Sequence, residues 1–395
     1  MEGFIYFDHA ATTPLDPRVF AAMRQFLSER FGNPSSLHWA GREAREAVEN
    51  ARRQTAALLH ADPDEIVFTA SGTEADNMAL AGVIERYGWR DCHVISSKIE
   101  HPAVLETCRY LKLRGADITF LGVGADGIVD PSALKNALRR NTRLVSIMAA
   151  NNVVGTVQPI DELGRITRAH GALFHTDAVQ AAGKVPFDVR EQAIDLLSIS
   201  AHKLHGPKGV GALFVRRGVE LEPLIHGGGQ ERGLRSATEN VAGIVGLGMA
   251  AEIARQELDE EAERLIRLRD RIIRGVAERL PHAYLIGHAR RRLPGHVCLG
   301  FEGQEGEAIR LLLALDDAGV AVSSGSACSA HRAGEPSSVL LAMGFDPIRA
   351  RGSLRVTLGR FNTEQEVNRF LEVLPPAVAA LRPVTSRGFG AASLT

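Results

Sequence analysis

Between residues 65 and 215 the chain alternates short, almost wholly apolar runs with stretches of helical period. EIVFT precedes a helical stretch from Glu74 to Tyr87, HVIS one from Pro102 to Arg114, and ITFLGV one from Pro131 to Arg140. LVSIMAA precedes Ile160 to His170, where Gly171 supplies a stop, and ALFHTDA, DLLSIS and GVGALFV follow. Strands that are apolar on both faces must be covered on both, so this alternation predicts an α/β fold with a mainly parallel sheet between two helical layers. Ligands then belong at the carboxyl ends of the strands. A long charged helical pattern from Val241 to Leu280 leads to further strands at HVCLGF and SLRVTLG. This predicts a linking helix and a smaller domain, in keeping with 395 residues being more than one core normally organises. The expected division is a large domain over 15–255 and a smaller α+β domain from 1–14 and 256–395, ending in a frayed tail from Arg382.

Charge excludes some partners. With 46 basic and 47 acidic residues there is no overall field to draw nucleic acid or an anionic membrane, and no apolar run is long enough to span a bilayer. No direct nucleic-acid contact, no membrane and a cytoplasmic location are expected. The four cysteines, Cys92, Cys108, Cys298 and Cys328, contain no C-x-x-C pair, which argues against a disulfide framework and a zinc site. His202 and His205 lack a third ligand, so no metal is expected. Cys328 stands apart, because it sits in SSGSACSA, among small residues that build no core.

Polar residues gather where the apolar runs end. Phe68-Thr69-Ala70-Ser71-Gly72-Thr73-Glu74 leaves a strand through small residues and enters a helix, which suits either a phosphate cradle or an ordinary cap. Asp177 closes one strand and is either a helix cap or a carboxylate matched to a cation. Lys203 closes another, either a turn lysine or one suited to Schiff-base chemistry. His101 precedes a helix, where an imidazole can stack on a planar ligand or move protons. Together with Asn152 they occupy one edge, and a phosphate site, a stacking ring, a carboxylate and a lysine are the parts that pyridoxal phosphate requires.

At this point the chain resembles the cysteine desulfurases of the NifS and IscS kind, in the class V aminotransferase group of fold-type I pyridoxal-phosphate enzymes. The blocks that carry the resemblance run through almost the whole chain: DHAATTP, FGNPSSLH, FTASGTEADN, EHPAVLE, NNVVGTVQPI, FHTDAVQAAGK, SISAHKLHGPKGVGALFVRR, GGGQERGLRSATEN, SSGSACSA and SLRVTLGR. It implies a seven-stranded, mainly parallel sheet. Lys203 is similar to the cofactor-binding lysine, Asp177 to the partner of the pyridine nitrogen, and His101 to the stacking ring and proton shuttle. Gln180 and Asn152 resemble the residues that bond the ring hydroxyl. Gly72, Thr73, Ser200 and His202 resemble the phosphate site, with Thr238 reaching the phosphate of a neighbouring subunit, so a homodimer is implied. Arg355 and Asn33 resemble anchors for the substrate carboxylate. Cys328, on a mobile loop over about 321–336, stands where the resembling enzymes carry the nucleophile that receives sulfur from L-cysteine. Alanine is the co-product, and a sulfur-acceptor protein such as an iron-sulfur scaffold is the implied partner.

The chain departs from that pattern at Val153, where an acidic residue is common, at Ala237, where glycine is usual, and over Ser329 to Gly334, which brings His331 and Arg332 near the thiol. A selenocysteine lyase or another class V enzyme shares the cofactor site without needing Cys328. A catalytically silent sulfur-assembly partner has no physical need of Lys203, Asp177 and Cys328 together.

Overall fold

The computed structural model describes residues 4–325 and 335–381. Residues 326–334 of the expected mobile cysteine loop, including Cys328, His331 and Arg332, and the tail from Arg382 lie outside the described residues. The chain opens with β1 (Ile5–Tyr6), α1 (Pro17–Ser28) and α2 (Trp39–Leu59). Strand β2 (Ile66–Thr69), α3 (Gly72–Tyr87), β3 (His93–Ser97), α4 (Pro102–Leu113), β4 (Asp117–Leu121), α5 (Pro131–Ala137) and β5 (Thr142–Ser146) follow. Next come α6 (Ile160–His170), β6 (Leu173–Asp177), β7 (Leu196–Ser200) and β8 (Gly211–Val215).

Seven of these strands form one sheet in the order β2-β8-β7-β6-β5-β3-β4. The pairs β3/β4, β3/β5, β5/β6 and β6/β7 are parallel, whereas β8 is antiparallel to both β7 and β2. The reversal follows from the connection, because only 201–210 separate β7 from β8, too few residues for a helical crossover. Along β2, Ile66 and Phe68 join one core and Val67 the other; along β8, Ala212 and Phe214 alternate with Leu213 and Val215 in the same way. One core takes in Val19, Val48, Leu163 and Leu247 from helices on that face, and the other Met78, Val104 and Leu111 from α3 and α4. The period of two that divides each strand between two apolar layers is the reason the sheet is covered on both sides.

The helical pattern read as one element from Val241 is two, α7 (Val241–Gln256) and α8 (Leu258–Arg279). Glu257 leaves helical geometry between them, at φ −105° and ψ 7°, and its carboxylate holds Arg18 at 2.6 Å and Arg360 at 2.7 Å. Beyond α8 come β9 (Ala283–Leu285), β10 (His296–Phe301), α9 (Ala308–Asp317), β11 (Val320–Ala321), β12 (Ser323–Ser324), α10 (Ser338–Ala342), β13 (Leu354–Thr357) and α11 (Glu364–Ala379). A second, antiparallel sheet runs β12-β13-β10-β9, and β1 pairs in parallel with β11. Leu265 and Ile272 of α8, Leu311 of α9 and Phe370 of α11 pack with Val297 and Val356 of this sheet. Among the described residues no helix is long and apolar enough to cross a membrane.

The outer edge of β2 is closed by side chains. Glu231 accepts the Phe68 N–H at 2.8 Å, and Arg52 donates to the Ile66 carbonyl at 2.8 Å while pairing with both Glu231 oxygens at 2.7 and 2.8 Å. Arg52 also lies over the Phe68 ring, 4.7 Å from its centroid. Unpaired strand edges invite foreign strands, and this ion pair satisfies the edge instead. Glu231→Ala removes the buried carboxylate from Arg52 and the Phe68 N–H, leaving Arg52 only the half-exposed Glu49 at 3.1 Å as an ion-pair partner, for an expected loss of about 3–5 kcal/mol. A wild-type urea midpoint in this variant, followed by circular dichroism, would rule the account out.

Candidate active site

At the carboxyl ends of the parallel strands lies a cleft of about 380 Å³. Lys203 follows β7 on the short turn Ala201–Lys203; its Nζ donates to the Ala10 carbonyl and, at 2.7 Å, to that of Ala11. The amine is thus tied to the segment leaving β1. Asp177 ends β6, and its Oδ1 accepts the Val179 N–H at 2.9 Å. Burial pushes its carboxyl up, and the nearby charges of His101 and Lys203 pull it back.

His101 caps α4. Pro102 takes the first helical position, where no N–H is needed, and His101 Nδ1 accepts the Ala103 N–H at 3.1 Å. In the neutral ring the proton therefore sits on Nε2. Gln180 reaches back along the same floor, donating from Nε2 to the Ala10 carbonyl at 2.8 Å. His202 Nδ1 lies 3.1 Å from the Thr12 hydroxyl, and burial, followed by the charge of Lys203, pushes its imidazole down to about 4.

The far end of the cleft is the N-terminus of α3. Ser71 caps it, its hydroxyl accepting the Glu74 N–H at 3.0 Å, and Gly72 and Thr73 form the first turn beside Ser200. A Cβ on Gly72 would stand 2.6 Å from Val179 and 3.4 Å from Ser200, and one on Gly211 would strike the backbone of Ser71 and Gly72. Glycine at both positions lets β7, β8 and the helix start converge around one small space. Free N–H groups at such a start favour an anion.

Nine of the ten cofactor-binding residues expected from sequence therefore line this cleft: Gly72, Thr73, His101, Asn152, Asp177, Gln180, Ser200, His202 and Lys203. Thr238 is exposed and does not line it in a single chain. Asn33 is exposed, its carboxamide accepting the Ser35 N–H at 2.9 Å. Arg355 is buried beside the cleft, donating from Nη1 to the Asn152 carbonyl at 3.0 Å and from Nη2 to Asp8 at 2.8 Å. The expected carboxylate fork already holds a carboxylate of its own chain.

Sequence reasoning passed over Ala10, Ala11, Asp76, Met148 and Val179, which also line the cleft. Asp76 had a readable signal, since it lies four residues after Gly72 on α3 and so projects from the same face. It is fully buried, 3.6 Å from the Nε2 of His175, whose ring spans the Ser146 and Ser198 hydroxyls at 2.8 and 3.0 Å. Burial first, then the charge of Asp177, pushes the Asp76 carboxyl well up. Glu100, joined to Ser97 at 2.6 Å and to the Met148 N–H at 2.9 Å, is pushed up to about 8, chiefly by burial. Two buried carboxyls near Asp177 are thus pushed toward their neutral forms.

A class-V aminotransferase family model matches residues 5–370. The chain belongs to that family, among its cysteine desulfurases. It is 50% identical over 385 residues to the cysteine desulfurase IscS of Dictyoglomus turgidum, covering 98% of this chain and 97% of the relative. Among solved structures, a NifS-like protein superposes with a TM-score of 0.89 at 41% identity, covering 96% of this chain and all of that one. SspA in complex with cysteine matches with a TM-score of 0.80 at 36% identity, over 91% of this chain and 100% of that one.

Glu100 gives the site a pH signature. Its folded value of about 8 exceeds the ordinary carboxylate value of 4.5, so its contribution to stability is full below 4.5 and is lost as pH rises to about 8. The difference in stability between wild type and Glu100→Gln should therefore fall across that window and level off above it. Urea midpoints of both proteins that keep a constant separation from about pH 5 to about pH 8 would contradict this.

Proposed function

We propose that the chain removes sulfur from L-cysteine with pyridoxal 5′-phosphate as cofactor, leaving L-alanine and a persulfide on Cys328 for transfer to an acceptor protein. The observation that carries the reading is the convergence of Lys203, Asp177, His101 and the α3 N-terminus on one cleft of about 380 Å³. The residues fit the group. The helix start and Ser200 would hold the phosphate, Asp177 the pyridine nitrogen, and Lys203 the aldehyde; Gln180 and Asn152 would hold the ring hydroxyl beneath His101. Once bound, the cofactor supplies an electron sink for bonds at the substrate's α-carbon.

The chain's own residues do the rest. Lys203, held between two carbonyls and one residue past a histidine kept neutral by burial, is placed to take and return the α-proton. His101 Nε2 faces the cleft with a proton to give, and Arg355 offers the substrate carboxylate a guanidinium in exchange for Asp8. The Cys328 thiolate attacks the substrate sulfur, so an S–S bond forms as the Cβ–S bond breaks. The electron pair left on Cβ takes up a proton. L-Cysteine and a thiol thus become L-alanine and a persulfide with no external oxidant.

The two sheets and their separate cores support a division into a large domain over 15–255 and a small one from the two chain ends. Thr238, exposed in one chain, is assigned to a homodimer in which it completes the neighbour's phosphate site, and Asn33 stays a second candidate anchor for the substrate carboxylate. An iron-sulfur scaffold or a thiolation protein is the acceptor class that a persulfide serves.

The purified protein should be yellow and, given L-cysteine and a reductant, should release sulfide and alanine in equal amounts. Cys328→Ala should keep the colour and lose the sulfide. Sulfide release untouched by that substitution would move the assignment to a selenocysteine lyase, and a colourless, inert protein to a silent partner.

A further inference from the structure

Lys203 also borders a second cavity of about 40 Å³, room for one or two waters. Lys184 lines it together with Lys203, and the other charged or titratable groups that face it are His9, His205, Glu261 and Arg360. Of these, Arg360 is paired with Asp16 at 3.2 Å and Glu257 at 2.7 Å, and Glu261 with Arg264 at 2.9 Å. Among the described residues no carboxylate pairs with Lys184. Its Nζ instead donates to Gln180 Oε1 at 3.5 Å, while Gln180 Nε2 and Lys203 Nζ both donate to the Ala10 carbonyl. The Gln180 amide is oriented by this arrangement, with Oε1 toward Lys184 and its N–H toward the segment that holds Lys203.

Both histidines in the cavity are kept neutral by burial, His9 near 3 and His205 near 4. His9 Nδ1 and Arg360 Nε find no hydrogen-bond partner among the described residues. The chamber is therefore polar, and the one carboxylate among its described lining residues, Glu261, is already engaged. Burial, and then the charge of Lys203, pushes Lys184 down to about 7. Coulomb repulsion between two charged amines is mutual, so what Lys203 does to Lys184 through charge Lys184 does equally to Lys203, whereas the effect of burial belongs to Lys184 alone.

We infer that Lys184 is a positioning residue for Lys203: sharing a chamber with it, Lys184 lowers the proton affinity of the reactive amine and orients Gln180 beneath it. The inference rests on Lys203 being the lysine that attaches to the cofactor's aldehyde, a reaction that requires its amine uncharged. Removing the Lys184 amine leaves Lys203 to hold its proton to higher pH.

The test follows uptake of pyridoxal phosphate by the cofactor-free protein, through growth of the visible band of the lysine-bound group, across a range of pH. For Lys184→Met the midpoint should move up by about one pH unit, a roughly tenfold slower uptake near pH 7. Lys184→Arg, which cannot lose its charge, should keep the midpoint at or below that of wild type. A Lys184→Met profile that superimposes on wild type, or a Lys184→Arg midpoint above it, overturns the inference; should the methionine variant fail to fold, the arginine variant decides alone. Lys203→Ala should form no such band. If wild type forms none either, the cofactor reading itself fails, and the two failures are told apart.

Discussion

Five parallel strands leave their carboxyl ends on one edge of the main sheet, and the chemistry of the molecule depends on that constraint. Glu100 and His101 follow β3, Met148 and Asn152 follow β5, Asp177 ends β6, and Lys203 comes three residues after β7. These residues are scattered over a hundred positions of chain. They meet because each strand ends at the same level and the helices must start there, presenting N–H groups to whatever binds. The antiparallel β8 closes this edge by pressing Gly211 against the start of α3, where any side chain would strike backbone.

Electrostatics at the floor are governed by burial. Asp76, Glu100 and Asp177 are all withdrawn from water, and three ionised carboxylates cannot coexist there with so few donors. Burial raises all three carboxyls; at Asp177 the neighbouring His101, the Val179 N–H and Lys203 pull the other way. Of the two carboxyls that line the cleft, Asp177 is the one with cationic neighbours to favour its charged form. His175, neutral and wedged between two serines, fixes the packing below it without adding a cation.

The segment from Ile5 to Asp16 joins the two sheets to the site. It pairs with β11, bonds the Thr357 hydroxyl through the Ala10 N–H at 2.9 Å, and receives the Lys203 amine on its Ala10 and Ala11 carbonyls. Its Thr13 N–H returns to the His202 carbonyl at 3.0 Å. A run of a dozen residues thus clamps the Ala201–Lys203 turn to the second sheet, and Asp8 extends the clamp to Arg355.

Much of this was legible in the chain. The alternation of apolar strands and amphipathic helices determined a parallel sheet covered on both faces, because strands apolar on two sides have no other way to leave water, and the polar residues ending those strands marked the cleft. Strand-end position is a local property, so Lys203, Asp177 and His101 stood out as candidates, each also compatible with an ordinary cap or turn, and all three line the cleft. Local pattern did not reveal that Glu257 breaks the long helix, since the ion pairs that hold the break come from Arg18 and Arg360, far away in sequence. Nor did it reveal that Ala10 and Ala11 act through backbone carbonyls, which no side chain advertises, or that Lys184 shares a chamber with Lys203 at a distance of nineteen positions. The sequence by itself determined which groups stand at the edge of the sheet. Only the tertiary structure decided which of them are buried against one another, because burial depends on what packs over a group and not on its neighbours in sequence.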